Sequence, residues 1–270
     1  MPPRNSEAPA RDQRHRRILA ALASDPTVRI SALAAEFGVS AETVRRDVEA
    51  LSRQGAVRRT YGGASVVHAG VQPAVLQRER MAVAERARIG AAAAALVEEG
   101  AVLMVDAGST TAHFARALAA RPGGAPRGTV LTNSLAVAEA LGAAAPGVRV
   151  LLAPGEFYPA ERAAYGPEAT GFLDRFNADI ALVGASGLTA EGPSDVESRA
   201  AWVKRAMIGR AARRVLLVDS GKFGKAHLER VCGLGALTDL VTDAPPPPEL
   251  RTALGRAGVS VEVADRTPDV

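Results

Sequence analysis

Arginine carries a planar fork of N–H donors that matches the O6 and N7 acceptors of guanine. Two adjacent arginines stand in Ser40-Ala-Glu-Thr-Val-Arg-Arg-Asp-Val-Glu-Ala-Leu, residues 40–51. Val44, Val48 and Leu51 recur at i, i+4 and i+7, the spacing of one apolar stripe on a helix. Thr43, Arg45, Arg46 and Asp47 fall off that stripe near the helix start, where a recognition helix carries its base-reading residues. Ser40 suits the N-cap position, and Glu42 places a negative charge where the helix dipole favours it. The chemistry expected is duplex DNA recognition. Arg45 or Arg46 reads guanine, and Thr43 touches a base or phosphate beside Ser40. Arg53, Arg58 and Arg59 hold the phosphate backbone.

A second set of such residues is spread over four short loops: Asp106-Ala-Gly-Ser-Thr-Thr, Thr132-Asn-Ser-Leu, Gly184-Ala-Ser-Gly-Leu and Asp219-Ser-Gly-Lys-Phe-Gly-Lys. Each follows a short Val/Leu-rich run. Backbone N–H groups at a helix start suit a phosphate or other anion. Gly108 would allow close approach, Ser109, Thr110 and Thr111 would add donors, and Lys222 would supply positive charge. Asp106 and Asp219 could each accept a sugar hydroxyl or simply cap a neighbouring loop, and Lys204 could reach the same pocket or lie on a helix face.

The elements that must hold these residues can be read from period and punctuation. Ile18, Leu19 and Leu22 form the apolar face of a first helix, which Ser24-Asp-Pro ends. Ile30, Leu33, Ala34 and Phe37 do the same for a second helix, and Gly38-Val39 supplies the turn into the third. Helix, glycine turn, helix is the helix-turn-helix pattern. Gln54-Gly55 stops the third helix, and Ala56-Val-Arg-Arg-Thr-Tyr-Gly-Gly reads as a basic wing. Residues 1–63 hold 11 Arg against 7 Asp and Glu, which is all of the net +4; the rest balances at 22 against 22. The positive charge therefore sits on the part that reads as a DNA binder.

The predicted organisation is a disordered tail at 1–11, a winged helix-turn-helix at 12–64, a linker at 65–76 containing a solvated His68, and an α/β domain at 77–265. Gln77 to Val97 reads as one helix, with Arg78, Arg80, Arg86 and Arg88 on a solvated face or near DNA. The apolar runs 101–105, 128–132, 148–152, 180–184, 215–219, 240–242 and 259–263 alternate with helical stretches. That alternation indicates a largely parallel sheet covered on both faces. Ligands of such sheets bind beyond the carboxyl ends of the strands, where the four loops fall.

A length of 270 residues with 47% apolar composition supports about two domains of ordinary core size. The single cysteine, Cys232, excludes a disulfide framework and a multi-cysteine metal site, and reads as a reduced, packed thiol. No run of 18 apolar residues is present and the first residues lack the apolar core of a signal peptide, so a cytoplasmic, nucleoid-associated protein without a membrane partner is expected. Neither a Walker loop nor a dinucleotide fingerprint occurs, and no cofactor, metal or catalytic residue is expected.

Arg14-x3-Ile18-x3-Leu22, followed in register by Ser40-x2-Thr43-Val44-Arg45-Arg46-Asp47-Val48 and by Gly55-Ala-Val-Arg-Arg-Thr-Tyr-Gly-Gly-Ala, resembles the helix-turn-helix and wing of the DeoR family of bacterial transcriptional regulators. Val105-Asp-Ala-Gly-Ser-Thr-Thr, Thr132-Asn-Ser, Gly184-Ala-Ser-Gly-Leu, Val203-Lys-Arg-Ala-Met-Ile and Asp219-Ser-Gly-Lys-Phe-Gly resemble its sensor domain, so the likeness covers roughly residues 12–265. The resemblance implies a fold similar to ribose-5-phosphate isomerase. It also implies a phosphorylated sugar or related metabolite as effector, contacted by Asp106, Gly108, Ser109, Thr110, Thr111, Asn133, Ser134 and Lys222. Two places depart from the family pattern. Pro154-Gly155 replaces a Gly-Gly pair after the third strand, and Arg199, two alanines and Trp202 stand where acidic residues are usual.

The expected function is that of a repressor of a sugar or carbohydrate operon, acting as a homo-oligomer (dimer or tetramer) on double-stranded operator DNA. The alternative is a sugar-phosphate isomerase or transferase with a DNA-binding appendage. That chemistry needs a positioned carboxylate base, and the loop from Gly184 offers none before Glu191.

Overall fold

The computed structural model describes residues 11–24, 27–53, 57–60, 63–66, 74–79 and 81–264. The chain forms two compact units, residues 1–73 and 74–270. The first contains α1 (Arg11–Ser24), β1 (Thr27–Arg29), α2 (Ile30–Phe37), α3 (Ala41–Arg53), β2 (Val57–Thr60) and β3 (Gly63–Val66). Ile18 and Leu22 of α1, Ile30, Leu33 and Phe37 of α2, and Val44, Val48 and Leu51 of α3 close one small core with Val57. Gly38 ends α2 in the left-handed region, at φ 65, and its N–H donates to the Ala34 and Ala35 carbonyls. A side chain there would be strained, so glycine makes the turn. β2 and β3 pair antiparallel, and β1 joins β3 as a third strand that the short segment after Pro26 did not announce. Gln54-Gly55 and Tyr61-Gly62 lie outside the described residues.

The second unit continues with α4 (Val75–Arg78), α5 (Val83–Ala95), β4 (Val102–Val105), α6 (Ser109–Ala119), β5 (Gly128–Thr132), α7 (Leu135–Ala144) and β6 (Val148–Leu152). A hairpin of β7 (Glu156–Tyr158) and β8 (Ala163–Tyr165) leads to α8 (Pro167–Leu173) and β9 (Ala178–Gly184). Then come β10 (Gly187–Thr189), β11 (Gly192–Asp195), α9 (Ser198–Gly209), β12 (Ala211–Leu217), β13 (Glu229–Arg230), β14 (Asp239–Thr242), α10 (Pro248–Arg256) and β15 (Ser260–Val263). The seven expected apolar runs all enter one sheet, ordered β15-β14-β12-β9-β4-β5-β6, and every pairing in it is parallel. Strand geometry turns successive side chains to opposite faces. Leu103, Val105, Ile180, Leu182, Val215 and Leu217 pack with α5, α6 and α7, while Met104, Ala181, Val183 and Leu216 pack on the other face, towards α8, α9 and α10. No helix among the described residues is long and apolar enough to cross a membrane.

Three boundaries differ from expectation. Arg11 already belongs to α1, and residues 1–10 lie outside the described residues. The linker is shorter than 65–76 at both ends. β3 runs to Val66, while the buried Val75 donates its N–H to the Ala160 carbonyl at 2.8 Å and so belongs to the second unit. His68 lies outside the described residues. The helix read from 77 to 97 is broken at Ala82, which sits at φ 48 between α4 and α5. The break turns Arg78 and Arg86 inward, and neither forms a solvated or DNA-facing surface.

Candidate nucleic-acid interface and ligand pocket

In the first unit α3 begins as its sequence requires. The Thr43 N–H donates to the Ser40 hydroxyl at 3.1 Å, and the two hydroxyls lie 2.9 Å apart. Arg45 and Arg46 stand on the outer face with side chains 60% and 77% exposed, each near Glu42, at 3.3 and 3.5 Å. Such exposed pairs contribute about 0.3–0.5 kcal/mol, too little to hold a guanidinium back from a base. Asp47, grouped with them by position, is buried. It accepts Arg14 Nε at 2.7 Å and Nη2 at 3.2 Å, with His15 Nε2 at 3.2 Å, and so ties the recognition helix to α1. Asp47 is therefore not a base reader. Arg58 and Arg59 lie on β2 opposite Ser65 and Ala64, and Arg53 closes α3.

In the second unit the chain leaves β4 towards β5 and β6 on one side, whereas β9 leads to β12, β14 and β15 on the other. The order reverses between β4 and β9, and such a switch point opens a crevice beyond the strand ends. Asp106, directly after β4, is completely buried there. Its Oδ2 accepts the Gly184 N–H at 3.3 Å across the switch and lies 2.9 Å from Lys204 Nζ. Lys204, on α9, also lies 3.0 Å from Asp195 Oδ2, and Asp195 accepts the Ser186 hydroxyl at 2.7 Å and the Val196 N–H at 3.0 Å. Burial pushes the Asp106 carboxyl up to about 6 against the pull of Lys204. Burial also works against the Lys204 ammonium, but Asp106 and Asp195 outweigh it and hold its pKa above the ordinary value. Asp195, despite burial, is held low by Lys204 and its hydrogen bonds. Asp106 Oδ1 meets no partner among the described residues.

Cations surround the neighbouring loop after β12. Arg86 donates to Asp219 Oδ2 at 3.2 and 3.1 Å and to the Arg78 carbonyl, and Arg78 grips Glu161 with two bonds of 2.6 Å. The Lys222 side chain makes no hydrogen bond or ion pair among the described residues, while its backbone N–H donates to the Asp219 carbonyl at 2.9 Å. Burial lowers its ammonium to about 8, Asp219 works the other way, and Arg86 and Arg78 lower it further.

The expected effector residues separate by what else they do. Thr111 donates to the Gly108 carbonyl at 3.0 Å, so its hydroxyl serves the helix start. Ser134 accepts the Val137 N–H at 3.3 Å and caps α7. Asn133 accepts the Ala107 N–H at 3.0 Å and donates to the Ala164 carbonyl at 3.1 Å, joining the ends of β4 and β8. Gly108 is extended at φ 166, a conformation any residue adopts, and a Cβ there would meet Thr111 Oγ1 at 3.4 Å. What its lack of a side chain does leave is an α6 start without a side-chain cap. The N–H groups of that first turn therefore have no cap side chain to meet them, and the buried Ser109 and Thr110 stand in the same turn. Asp219 is occupied by Arg86 and Lys204 by its two acids. Asp195 has no place in the sequence reading, and Arg86, expected on a solvated face or near DNA, is buried. The mixed run Gly192-Pro-Ser-Asp gives no strand signal, and a basic helix gives no sign that one arginine is inside. Cys232 is a free, half-buried thiol, raised to about 11 by burial.

Comparison with known proteins agrees with both halves. Residues 14–69 match the DeoR-like helix-turn-helix domain, and residues 81–244 match the DeoR C-terminal sensor domain. The glycerol-3-phosphate regulon repressor of Escherichia coli (strain K12) is 28% identical over 252 residues, covering 93% of this chain and 98% of that protein. The HTH-type transcriptional repressor CsqR of the same organism is 29% identical over 249 residues, covering 92% and 94%. The transcriptional repressor GlcR of Bacillus subtilis (strain 168) is 29% identical over 230 residues, covering 84% and 86%. Among solved structures, ribose 5-phosphate isomerase A from Neisseria gonorrhoeae aligns at a TM-score of 0.39 with 17% identity, over 54% of this chain and 55% of that one. The two matched domains lie in the same order along nearly the whole chain, and the chain belongs to the DeoR family of helix-turn-helix transcriptional regulators.

Proposed function

We propose that the protein represses a sugar or carbohydrate operon and releases its operator when a phosphorylated sugar or related metabolite occupies the crevice between β4 and β9. The reading of DNA falls to Arg45 or Arg46 at guanine and Thr43 at a base or phosphate beside Ser40. Arg53, Arg58 and Arg59 hold the backbone. A single helix spans too few base pairs for specificity, so the protein acts as a homo-oligomer on repeated half-sites. Its place of action is the cytoplasm, on the nucleoid.

The observation that carries the effector reading is a pair of unmet groups at strand ends on one edge of the sheet. The α6 start lacks a side-chain cap, and Lys222, two strands away, meets no anion among the described residues. At about 4.8 Å per strand those ends lie roughly 10 Å apart, room for one sugar phosphate. Asp106 Oδ1, at the end of β4 and without a partner among the described residues, accepts a hydroxyl. The repressor relatives favour a regulator over an isomerase, and so does the locking of Asp106 and Asp195 onto Lys204, which leaves neither as a poised base.

Thermal unfolding with matched pairs of free sugars and their phosphates tests this. A ligand at 100 times its Kd adds about 2.7 kcal/mol, which is several degrees at roughly 2–4 °C per kcal/mol. A phosphate that shifts the midpoint while its free sugar does not should also release operator DNA. No shift with any phosphosugar would remove the phosphate pocket from the account.

A further inference from the structure

We propose that the outer edge of β6 is a self-association surface. A second copy docks its own β6 antiparallel about a two-fold axis, so that two seven-stranded sheets continue as one. The inference rests on the oligomeric reading above and adds the surface that makes it.

β6 ends the sheet. The Ala153 N–H donates to the Thr132 carbonyl at 2.8 Å, towards β5. In a parallel pair alternate residues turn both backbone groups to the same neighbour. Arg149, Leu151 and Ala153 therefore serve β5, and Val150 and Leu152 direct N–H and C=O outward. No backbone group among the described residues meets those outward groups.

Soluble sheets protect such edges with charges, prolines or a covering element. Val148-Arg-Val-Leu-Leu has one charge and no proline. Leu152 is 44% exposed, and Val148, Val150 and Leu151 are half-buried. The adjoining end of α7, Gly142-Ala-Ala, is exposed and small. The opposite edge strand, β15, carries Glu262.

The chemistry of the edge selects its occupant, because a row of backbone donors and acceptors is met by another strand. β6 suits its own copy. A two-fold axis at Val150 sets Val150 against the second copy's Val150, Val148 against Leu152, and Arg149 against Leu151. Apolar pairs then meet and no like charges stand opposite, the pattern that stabilises cross-strand neighbours.

The test is sedimentation velocity of the full chain, with hydrogen exchange of the β6 amides. The wild type should sediment as an oligomer whose Val150 and Leu152 amides are protected and exchange faster on dilution. Leu152→Glu alters one exposed side chain and should halve the mass with circular dichroism unchanged. Val150→Pro removes an outward N–H at a position where an edge tolerates proline, and should do the same. If Val150→Pro fails to fold, Leu152→Glu and the exchange data decide. An oligomer that keeps its mass in Leu152→Glu, with fast-exchanging β6 amides, overturns the edge pairing and leaves the oligomeric regulator standing. A monomeric wild type overturns both. A monomer with protected β6 amides would mean the chain covers its own edge, and also overturns the proposal.

Discussion

Raising the pH from 7 to 9 should discharge Lys222, whose ammonium meets no carboxylate among the described residues. Lys222 is lowered by burial to about 8, and a bound phosphate needs its ammonium form. Over this window a phosphomonoester stays dianionic, because its second pKa is about 6, and Asp106, at about 6, is already mostly ionised. For a group at about 8 the charged fraction falls from about nine-tenths to about one-tenth between pH 7 and 9. Phosphosugar affinity should therefore drop about tenfold, about 1.4 kcal/mol. A lysine at its ordinary pKa of about 10.4 would change affinity by only a few per cent. The assay is isothermal titration calorimetry at pH 7, 8 and 9 in two buffers of different ionisation enthalpy, using the phosphosugar that raises the unfolding midpoint. Binding at pH 8 should take up about half a proton, since the phosphate restores the charge on Lys222. Lys222→Arg should flatten the pH profile, and Lys222→Met should weaken binding at every pH. The unliganded protein should respond with the opposite slope. Its unfolded chain holds this proton up to the ordinary lysine range and its folded state only to about 8, so this residue adds stability as pH rises between the two values. A dissociation constant that stays level from pH 7 to 9 would refute the placement of phosphate on Lys222.

Arg46→Ala should remove specific operator binding, at a cost of about 1–3 kcal/mol, and leave the unfolding midpoint within error, as read by gel shift and calorimetry. Asp47→Ala strips Arg14 and His15 of their shared acceptor and should destabilise the first unit by about 1.5–3 kcal/mol. DNA affinity then falls although no DNA contact is lost, and phosphosugar binding by the second unit is retained. Lys204→Met leaves two buried carboxylates without their cation and should cost about 3–5 kcal/mol at pH 7. Both acids would then titrate above their ordinary range, and the folded state would bind protons that the unfolded chain does not. Stability of this variant should recover as pH falls from 7 to 5, and a thermal midpoint unaffected by that change would contradict the burial of the triad.

What was legible in the sequence follows from how local the signal is. The seven sheet strands are four to seven residues long and rich in Val, Leu and Ala, and their residues alternate between two packed faces, so each run announced itself. The Ser40 cap needs nothing beyond Thr43. Asp47 depends on Arg14, 33 residues away, and next to Arg46 it reads as one more surface charge. Lys204 is less legible still. The apolar positions Ala200, Val203 and Met207 already explain the buried face of α9, and what pays for its burial is a pair of acids on β11 and after β4. The loops were legible because hydroxyls follow four of the seven strands. Their division of labour was not, because Thr111, Asn133 and Ser134 match a ligand-binding composition while serving caps and strand ends.

The same distinction separates the rigid parts of the proposed pocket from the responsive ones. Arg78, Arg86 and Lys204 are buried cations, each held by carboxylates at 2.6–3.2 Å, and breaking one leaves an uncompensated charge in a low-dielectric interior. These three join α4 to the β7–β8 turn, α5 to the end of β12, and α9 to the ends of β4 and β11. The strand ends at the switch point are thereby fixed. Lys222 stands at the same sheet edge without such a partner among the described residues and already carries the cost of partial desolvation in its lowered pKa. An anion that reaches it recovers that cost, whereas an anion placed against Arg86 would have to displace Asp219. Ligand specificity should accordingly follow Lys222 and the uncapped start of α6. Substitutions at Arg78 or Arg86 should alter stability first and ligand affinity only as a consequence.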